Sequence, residues 1–196
     1  MLYLCPMLKI YASGIKDLTV ARYFAAMQVD LAGFELTFET LPAIKAIKEW
    51  IEGPRAVAEP ADNLQEVDAN ELFLQSGMDY RLKPIDSSEK GLANTIHMLP
   101  YGEPVTEPGI FVINVDTNNN AADFDAALYA ANDQGQFYFD ISHLTDEWLS
   151  LLSGYKNFGL LIRAGHEDRP GIKSFDTLDV LFDKLESQES LFSSNN

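Results

Sequence analysis

The sequence contains few of the residues that hold metals or form disulfides. Among its 196 residues are one cysteine, Cys5, and three histidines, His97, His143 and His166. A single cysteine excludes an internal disulfide and a cysteine-rich zinc site. The histidines are far apart in sequence, which argues against a histidine-based metal site. We therefore expect neither a metal nor a cofactor.

Positive charge is also scarce. Lysine and arginine total 14 against 30 aspartates and glutamates, which gives a formal net charge of −16 at pH 7. The basic residues form no cluster or stripe, so the composition argues against a nucleic-acid partner. An acidic surface also repels phosphate at long range, and any phosphate site would need a local exception.

Long hydrophobic runs are absent. No stretch of about 18 apolar residues occurs, so we expect no membrane span. The opening residues MLYLCPM lack a basic region and are too short for a secretion signal. We expect a cytoplasmic protein. The length suits one domain over residues 1–196, with a core at about residues 8–187 followed by a polar tail.

What the chain does contain is a repeated alternation of short apolar runs with amphipathic helical stretches, which is typical of an α/β protein with a parallel sheet. The predicted strands cover residues 9–13, 31–36, 55–59, 72–75, 80–85, 110–116, 136–141 and 159–163. The predicted helices cover about 15–28, 41–52, 61–68, 87–99, 121–132, 145–152 and 174–185. The helix after strand four is shortened or missing.

About eight such units predict a single closed (β/α)8 TIM barrel. A doubly wound open sheet is the alternative. A gap in the outer layer near strand four could expose a strand to a second copy. Both a monomer and a homodimer therefore remain open.

In barrels of this kind the chemistry lies in the loops after the strands. The polar candidates there are Ser13, Glu35, Glu59, Gln75, Asp86, Asp116, Thr117, Asp140, Ser142, Arg163, His166 and Glu167. Each has a simpler structural interpretation. Ser13 before Gly14 is typical of a turn or helix cap, and a serine nucleophile needs an adjacent base. Asp116 either caps the next helix or takes part in chemistry.

Five segments of the chain, taken in order, resemble one known family. They are KIYASGIKDLTVARYFAAMQVDLAGFEL, LFLQSG, INVDTNNNAADFDAAL, FDISHLTDEWLSLL and RAGHEDRPGIKSFDTLDVLFDKL. Together they resemble the phosphoribosylanthranilate isomerases of tryptophan biosynthesis. The resemblance covers nearly the whole chain, although each motif is degraded, and the first and last segments are the most specific.

The resemblance implies an Amadori rearrangement of a phosphoribosyl amine. In the family, a cysteine at the end of the first strand is the general base and an aspartate at the end of the sixth is the general acid. Carried over by motif, these positions are Ser13 and Asp116. The resemblance also places Gln75 at a glutamine position of the family.

The phosphate site that the resemblance implies is damaged. Of the glycines that hold the phosphate, only Gly165 remains, and the segment TFETLP lacks the arginine of the family. Asp140 would repel a phosphate, which Arg163 or His166 could offset. The substrate-binding candidates are therefore Gln75, Asp140, Arg163, Gly165 and His166.

The loss of the cysteine is chemically severe. A serine hydroxyl is too weak an acid to replace a thiol as base without help. The missing cysteine base, the missing phosphate-binding glycines and the missing arginine all serve the same reaction in the family. The sequence therefore favours a diverged member, a possible pseudoenzyme, that binds a small molecule at the carboxyl ends of the strands, with the family activity lost or altered. A phosphosugar is one candidate ligand.

Two alternatives remain open. One is an active isomerase that uses Asp116 as general acid with an atypical base. The other is a new enzyme that uses Asp116, Asp140 and Glu59 as its carboxylates.

Overall fold

The strands form a closed parallel barrel. The structure, a computed structural model, describes residues 8–61, 63–84, 94–115, 121–141, 144–164 and 175–193. The barrel closes in the order β1 to β8, with β8 pairing back onto β1. The strands are β1 (Lys9–Ile15), β2 (Leu31–Leu36), β3 (Arg55–Pro60), β4 (Tyr80–Pro84), β5 (Thr95–Pro100), β6 (Gly109–Val115), β7 (Gly135–Ile141) and β8 (Phe158–Arg163). The predicted (β/α)8 barrel is confirmed, and the open sheet is excluded.

Helices surround the barrel. They are α1 (Leu18–Ala26), α2 (Leu41–Lys48), α3 (Glu66–Ser76), α4 (Ala127–Ala130), α5 (Asp146–Ser153) and α6 (Asp176–Ser193), with a short 3₁₀ helix at Ala121–Asp123. The Asp17 carboxylate caps α1 by accepting from the Val20 N–H, and Thr145 caps α5 in the same way. Residues 101–108, between β5 and β6, contain no helix. Most of the link after β4 lies outside the described residues.

The prediction of a strand at residues 72–75 is wrong, because these residues belong to α3. The helix begins at Glu66, not near residue 61, and buries Ala69 and Leu72 on one face. Gly77 ends it in the left-handed conformation, at φ 65°, as glycine commonly does after a helix. The short link after Gln75 is therefore the turn between α3 and β4.

The helix predicted to continue to Leu99 is also wrong, because β5 occupies its second half. Ile96 and Leu99 have the three-residue spacing of a helix face, and both are buried. They nevertheless lie in different hydrophobic clusters, on opposite sides of one strand. A strand buried on both faces shows no alternation that could distinguish it from a helix.

Two separate hydrophobic clusters fill the molecule. One lies between the barrel and its helices. The other lies inside the barrel and takes one residue from each of seven strands: Tyr11, Leu31, Val57, Ile96, Val112, Tyr138 and Leu161. Leu82 of β4 packs against them. The bore of the barrel is thus filled by side chains at mid-height.

Within the described ranges, none of the helices is long and apolar enough to cross a membrane.

Candidate functional site

The candidate site lies inside the carboxyl-terminal end of the barrel, which we call the mouth. Side chains of a strand alternate between its two faces, so the residue two positions after an interior residue also points inward. Counting on from the interior cluster, these positions are Ser13, Gly33, Glu59, Met98, Asn114, Asp140 and Arg163. The mouth is therefore polar, whereas the layer beneath it is apolar.

A bulge in β1 positions Ser13. The pairing register between β1 and β2 shifts between Ala12 and Ile15. Gly14, inside that interval, has φ +75°, a conformation that residues with a side chain rarely adopt. The sequence Ser-Gly thus encodes a local break in the strand. Because of it, the Gly14 N–H points to a side-chain acceptor and Ser13 is buried at the mouth.

That acceptor is Glu59, which crosses from β3 over β2 to reach β1. One carboxylate oxygen accepts from the Tyr11 hydroxyl at 2.6 Å, and the other accepts from the Gly14 N–H at 2.8 Å. The Ser13 hydroxyl also hydrogen-bonds to this carboxylate. Gly33 leaves the space for the crossing, since a Cβ there would lie 2.0 Å from Glu59 Oε1.

The Glu59 carboxylate is a perturbed acid. Burial raises the pKa of Glu59 above its usual value. The hydrogen bonds from Tyr11, Gly14 and Ser13, and the nearby charge of Arg163, oppose that rise. Burial, with the charge of Glu59, raises the pKa of Tyr11 well above its usual value, so the phenol remains a neutral donor. The mouth therefore holds a carboxyl group that binds a proton more readily than an exposed glutamate does.

Two ion pairs flank this group. Arg163 donates to Asp140 of β7, and Lys16 lies 2.8 Å from Glu35 of β2. The Arg163 side chain is 70% exposed, whereas that of Asp140 is 16% exposed. Both cations at this part of the mouth are thus already paired with a carboxylate, and Glu59 is held by uncharged donors.

The structure brings together four of the residues that the sequence singled out, and Glu59, beside Ser13, is one of them. Ser13 and Arg163 are register partners on β1 and β8, and Arg163 contacts Asp140. Gln75 does not belong to the site, because it is exposed on α3 and bonds to Glu71 one turn earlier. The prediction for Gln75 is wrong for the same reason as the predicted strand at residues 72–75. The apolar residues before Gln75 belong to the helix α3 and not to a strand.

The remaining candidates lie outside the described residues. They are Asp86, Asp116, Thr117, Ser142, Gly165, His166 and Glu167.

Sequence reasoning missed how Tyr11 and Gly33 hold Glu59. The signal available was the spacing of two residues from Val57 to Glu59, which puts the carboxylate on the inner face.

No group of three metal-ligating side chains occurs in the part of the chain that the structure describes. The geometry supports binding and proton transfer.

A closed parallel barrel of eight strands with a polar mouth at the carboxyl ends is the architecture of the (β/α)8 class, whose enzymes carry their chemistry at that end. No family model matches the chain, and no curated protein sequence does.

Solved structures do match. Phosphoribosylanthranilate isomerase in complex with reduced 1-(o-carboxyphenylamino)-1-deoxyribulose 5-phosphate has a TM-score of 0.63 and 13% identity, over 92% of this chain and 100% of that one. Monomers of the dimeric isomerase from Thermotoga maritima have a TM-score of 0.63 and 12% identity, over 91% and 98% of the chains. The 2-keto-3-deoxy-6-phosphogluconate aldolase from Zymomonas mobilis has 0.51 and 15%, over 81% and 83%. The resemblance seen in the sequence is confirmed as a shared fold at low sequence identity.

Proposed function

We propose that this chain is a diverged barrel of the phosphoribosylanthranilate isomerase type that binds a small molecule at the mouth, and that the family's cysteine-dependent rearrangement is lost or altered. The observation that supports this proposal is the environment of Ser13. At the position that the resemblance assigns to the cysteine base stands a buried hydroxyl that hydrogen-bonds to Glu59. A hydroxyl in this setting has no means of becoming the base by itself.

The charges of the mouth also support a change of ligand. Arg163 is engaged by Asp140 and Lys16 by Glu35. A phosphate dianion would have to compete with a carboxylate for either cation.

Complementation tests whether the family activity survives. The chain is expressed in a tryptophan auxotroph that lacks this isomerase, and we expect no growth without tryptophan although soluble protein is present. Rescue would refute the loss. The Ser13→Cys variant is the matched comparison. If only the base is missing, it restores growth; if the phosphate site is changed as well, it does not.

Thermal stabilisation tests binding. The panel contains phosphosugars, because the similar isomerase was solved with a phosphorylated ligand. It also contains unphosphorylated sugars and neutral aromatic compounds. Stabilisation by no member of the panel would contradict the binding proposal. Light scattering on the same sample decides between monomer and homodimer.

An active isomerase with Asp116 as general acid is the second candidate. It needs an atypical base, and the contact between Glu59 and Ser13 is the observation that favours it. Rescue of the auxotroph by the unaltered chain, abolished in Glu59→Gln, would establish it.

A further inference from the structure

The feature that points beyond the shared fold is the environment of the Glu59 carboxylate, which we call its seat. Three strands cooperate to build it. β1 supplies the Tyr11 hydroxyl and the bulge that frees the Gly14 N–H, β2 supplies the space above Gly33, and β3 supplies the carboxylate. A carboxylate held by fixed donors on both oxygens has one orientation, and a fixed orientation is what a proton-transfer group needs.

We infer that Glu59 is the base of this mouth, that it stands in for the base lost at Ser13, and that its substrate is an uncharged hydroxy aldehyde, hydroxy ketone or the corresponding imine. This inference rests on the proposed binding of a small molecule at the mouth. It places the proton-accepting atom on β3 rather than on β1.

The geometry favours Glu59 over its neighbours. Asp140 is bound to Arg163, and Glu35 is bound to Lys16, so each of these carboxylates has a cation in direct contact. Glu59 has only neutral donors in contact and is partly buried. Of these three carboxylates, Glu59 is therefore the one that no cation contacts directly.

Charge argues that the substrate is neutral. The described mouth holds the carboxylates of Glu35, Glu59 and Asp140 against the cations of Lys16 and Arg163. An anionic substrate would meet a net negative site.

The step balances without any further reagent. The Glu59 carboxylate takes the proton from the carbon next to the carbonyl or imine, and the C–H bonding pair becomes the C=C bond of an enediol or enaminol. The π pair of the C=O or C=N bond moves to the oxygen or nitrogen, which takes a proton from water. Glu59 then returns its proton to one of the two carbons, and the π pair of the C=C bond forms the new C–H bond. The hydroxyl or amino group on the other carbon loses a proton to the hydroxide left from the water, and the freed electron pair completes the C=O or C=N bond. Protonation of the original carbon restores the substrate, and protonation of the other carbon isomerises it.

Two measurements on the unaltered protein test the inference. The first is labelling by glycidol, a neutral epoxide. A carboxylate oxygen attacks the terminal epoxide carbon, the C–O bond of the ring breaks, and the alkoxide takes a proton from water. Peptide mass spectrometry locates the ester. We expect Glu59 to be modified at least tenfold faster than Glu35, and glycidol phosphate to react more slowly than glycidol.

The second measurement is exchange of the C2 hydrogen of D-ribose with solvent deuterium, followed by NMR beside D-ribose 5-phosphate. We expect exchange of ribose above the rate without protein, and a loss on the order of 10² to 10⁴ in Glu59→Gln. Ser13→Ala is the matched comparison, since it removes a hydroxyl that donates to the base but leaves the carboxylate. Ser13→Ala should lower the exchange rate less than Glu59→Gln does, and it should move the inflection of the plot of exchange rate against pH to higher pH.

The pH at which the labelling and exchange rates change distinguishes a base from a purely structural glutamate, because only a base makes these rates follow its own protonation. The groups that face Glu59 are Tyr11, Ser13 and the Gly14 N–H from β1 and the Arg163 charge from β8, with Glu35 as its register partner on β2. Tyr11→Phe removes a donor and should raise the inflection of both labelling and exchange.

Each outcome decides something distinct. Labelling of exposed carboxylates with Glu59 unmodified, labelling without exchange, or exchange that survives Glu59→Gln overturns the inference. If, in addition, no compound of the thermal panel stabilises the protein, the proposed function fails as well. Stabilisation by ribose without exchange overturns the inference and leaves the binding function intact.

Discussion

Replacing Gly33 by alanine tests the seat of Glu59 directly. The new Cβ would lie 2.0 Å from Glu59 Oε1, 2.5 Å from its Cδ and 2.9 Å from the ring of Tyr11. These separations are far inside van der Waals contact, so the Glu59 side chain must leave. Its departure removes the acceptor of the fully buried Tyr11 hydroxyl and of the Gly14 N–H.

The cost follows from those two donors. A buried donor left without a partner costs about 1–3 kcal/mol. We therefore expect Gly33→Ala to lower the free energy of unfolding by roughly 2–6 kcal/mol, measured as a shift of the urea midpoint at unchanged slope. An alanine in place of a strand glycine would otherwise be mildly stabilising.

A double-mutant cycle isolates the cause. In a Glu59→Ala background the donors have already lost their acceptor, so Gly33→Ala should then cost less than about 1 kcal/mol. Gly109→Ala is the matched control. Its Cβ would lie 3.0 Å from the ring of Phe111, away from Glu59, and its effect should be the same in both backgrounds. A loss below about 0.5 kcal/mol for Gly33→Ala, or an equal loss in both backgrounds, would refute the reasoning.

Three further changes have definite expected results. Burial, followed by the charge of Lys83, lowers the pKa of His97, so the unfolded chain binds a proton near pH 6.5 that the folded chain does not. Stability should therefore fall as the pH drops below about 6.5, and His97→Phe should flatten that fall in urea titrations at pH 5.5 and 7.5; an unchanged fall would contradict this. Asn132→Ala should lower the free energy of unfolding by about 2–4 kcal/mol, because the side-chain amide donates to two backbone carbonyls at 3.1 and 2.8 Å; Asn132→Asp, which keeps the acceptor and loses the donors, should be nearly as costly. Arg163→Gln should raise the pKa of Glu59, followed by NMR of labelled glutamate, and change stability by less than about 1 kcal/mol because the arginine side chain is largely exposed; an unchanged or lower pKa would contradict it.

The fold was predictable where each strand was bounded by turn residues. Leu31–Leu36 is found with the bounds the sequence predicted, and the strand ending at Arg163 differs by one residue. The errors fall in short apolar runs, one of which is followed by a glycine, Gly77, that ends a helix and not a strand. Leu72 belongs to a helix and Ile96 to a strand, yet each lies in an apolar run that fits either period. Length could not decide, since both runs are short.

The site was predictable only at the ends of correctly assigned strands. Ser13 and Arg163 could be anticipated because they lie at or near the carboxyl ends of strands at the same edge of the barrel. The hydrogen bonds between Tyr11 and Glu59 could not, because they depend on the register across β1, β2 and β3 and on the space above Gly33. Register between parallel strands that are distant in sequence is set by tertiary packing and leaves no local pattern.

The two tyrosines of the interior cluster determine how molecules reach and leave Glu59. The rings of Tyr11 and Tyr138 meet edge to face with centroids 5.8 Å apart, and neither has appreciable exposure. Together with Val57 and Leu161 they plug the bore of the barrel. No passage therefore runs along the barrel axis at the level of these side chains. A molecule that reaches Glu59 from the mouth has to leave on the same side, so slow departure of a product would delay the arrival of the next reactant.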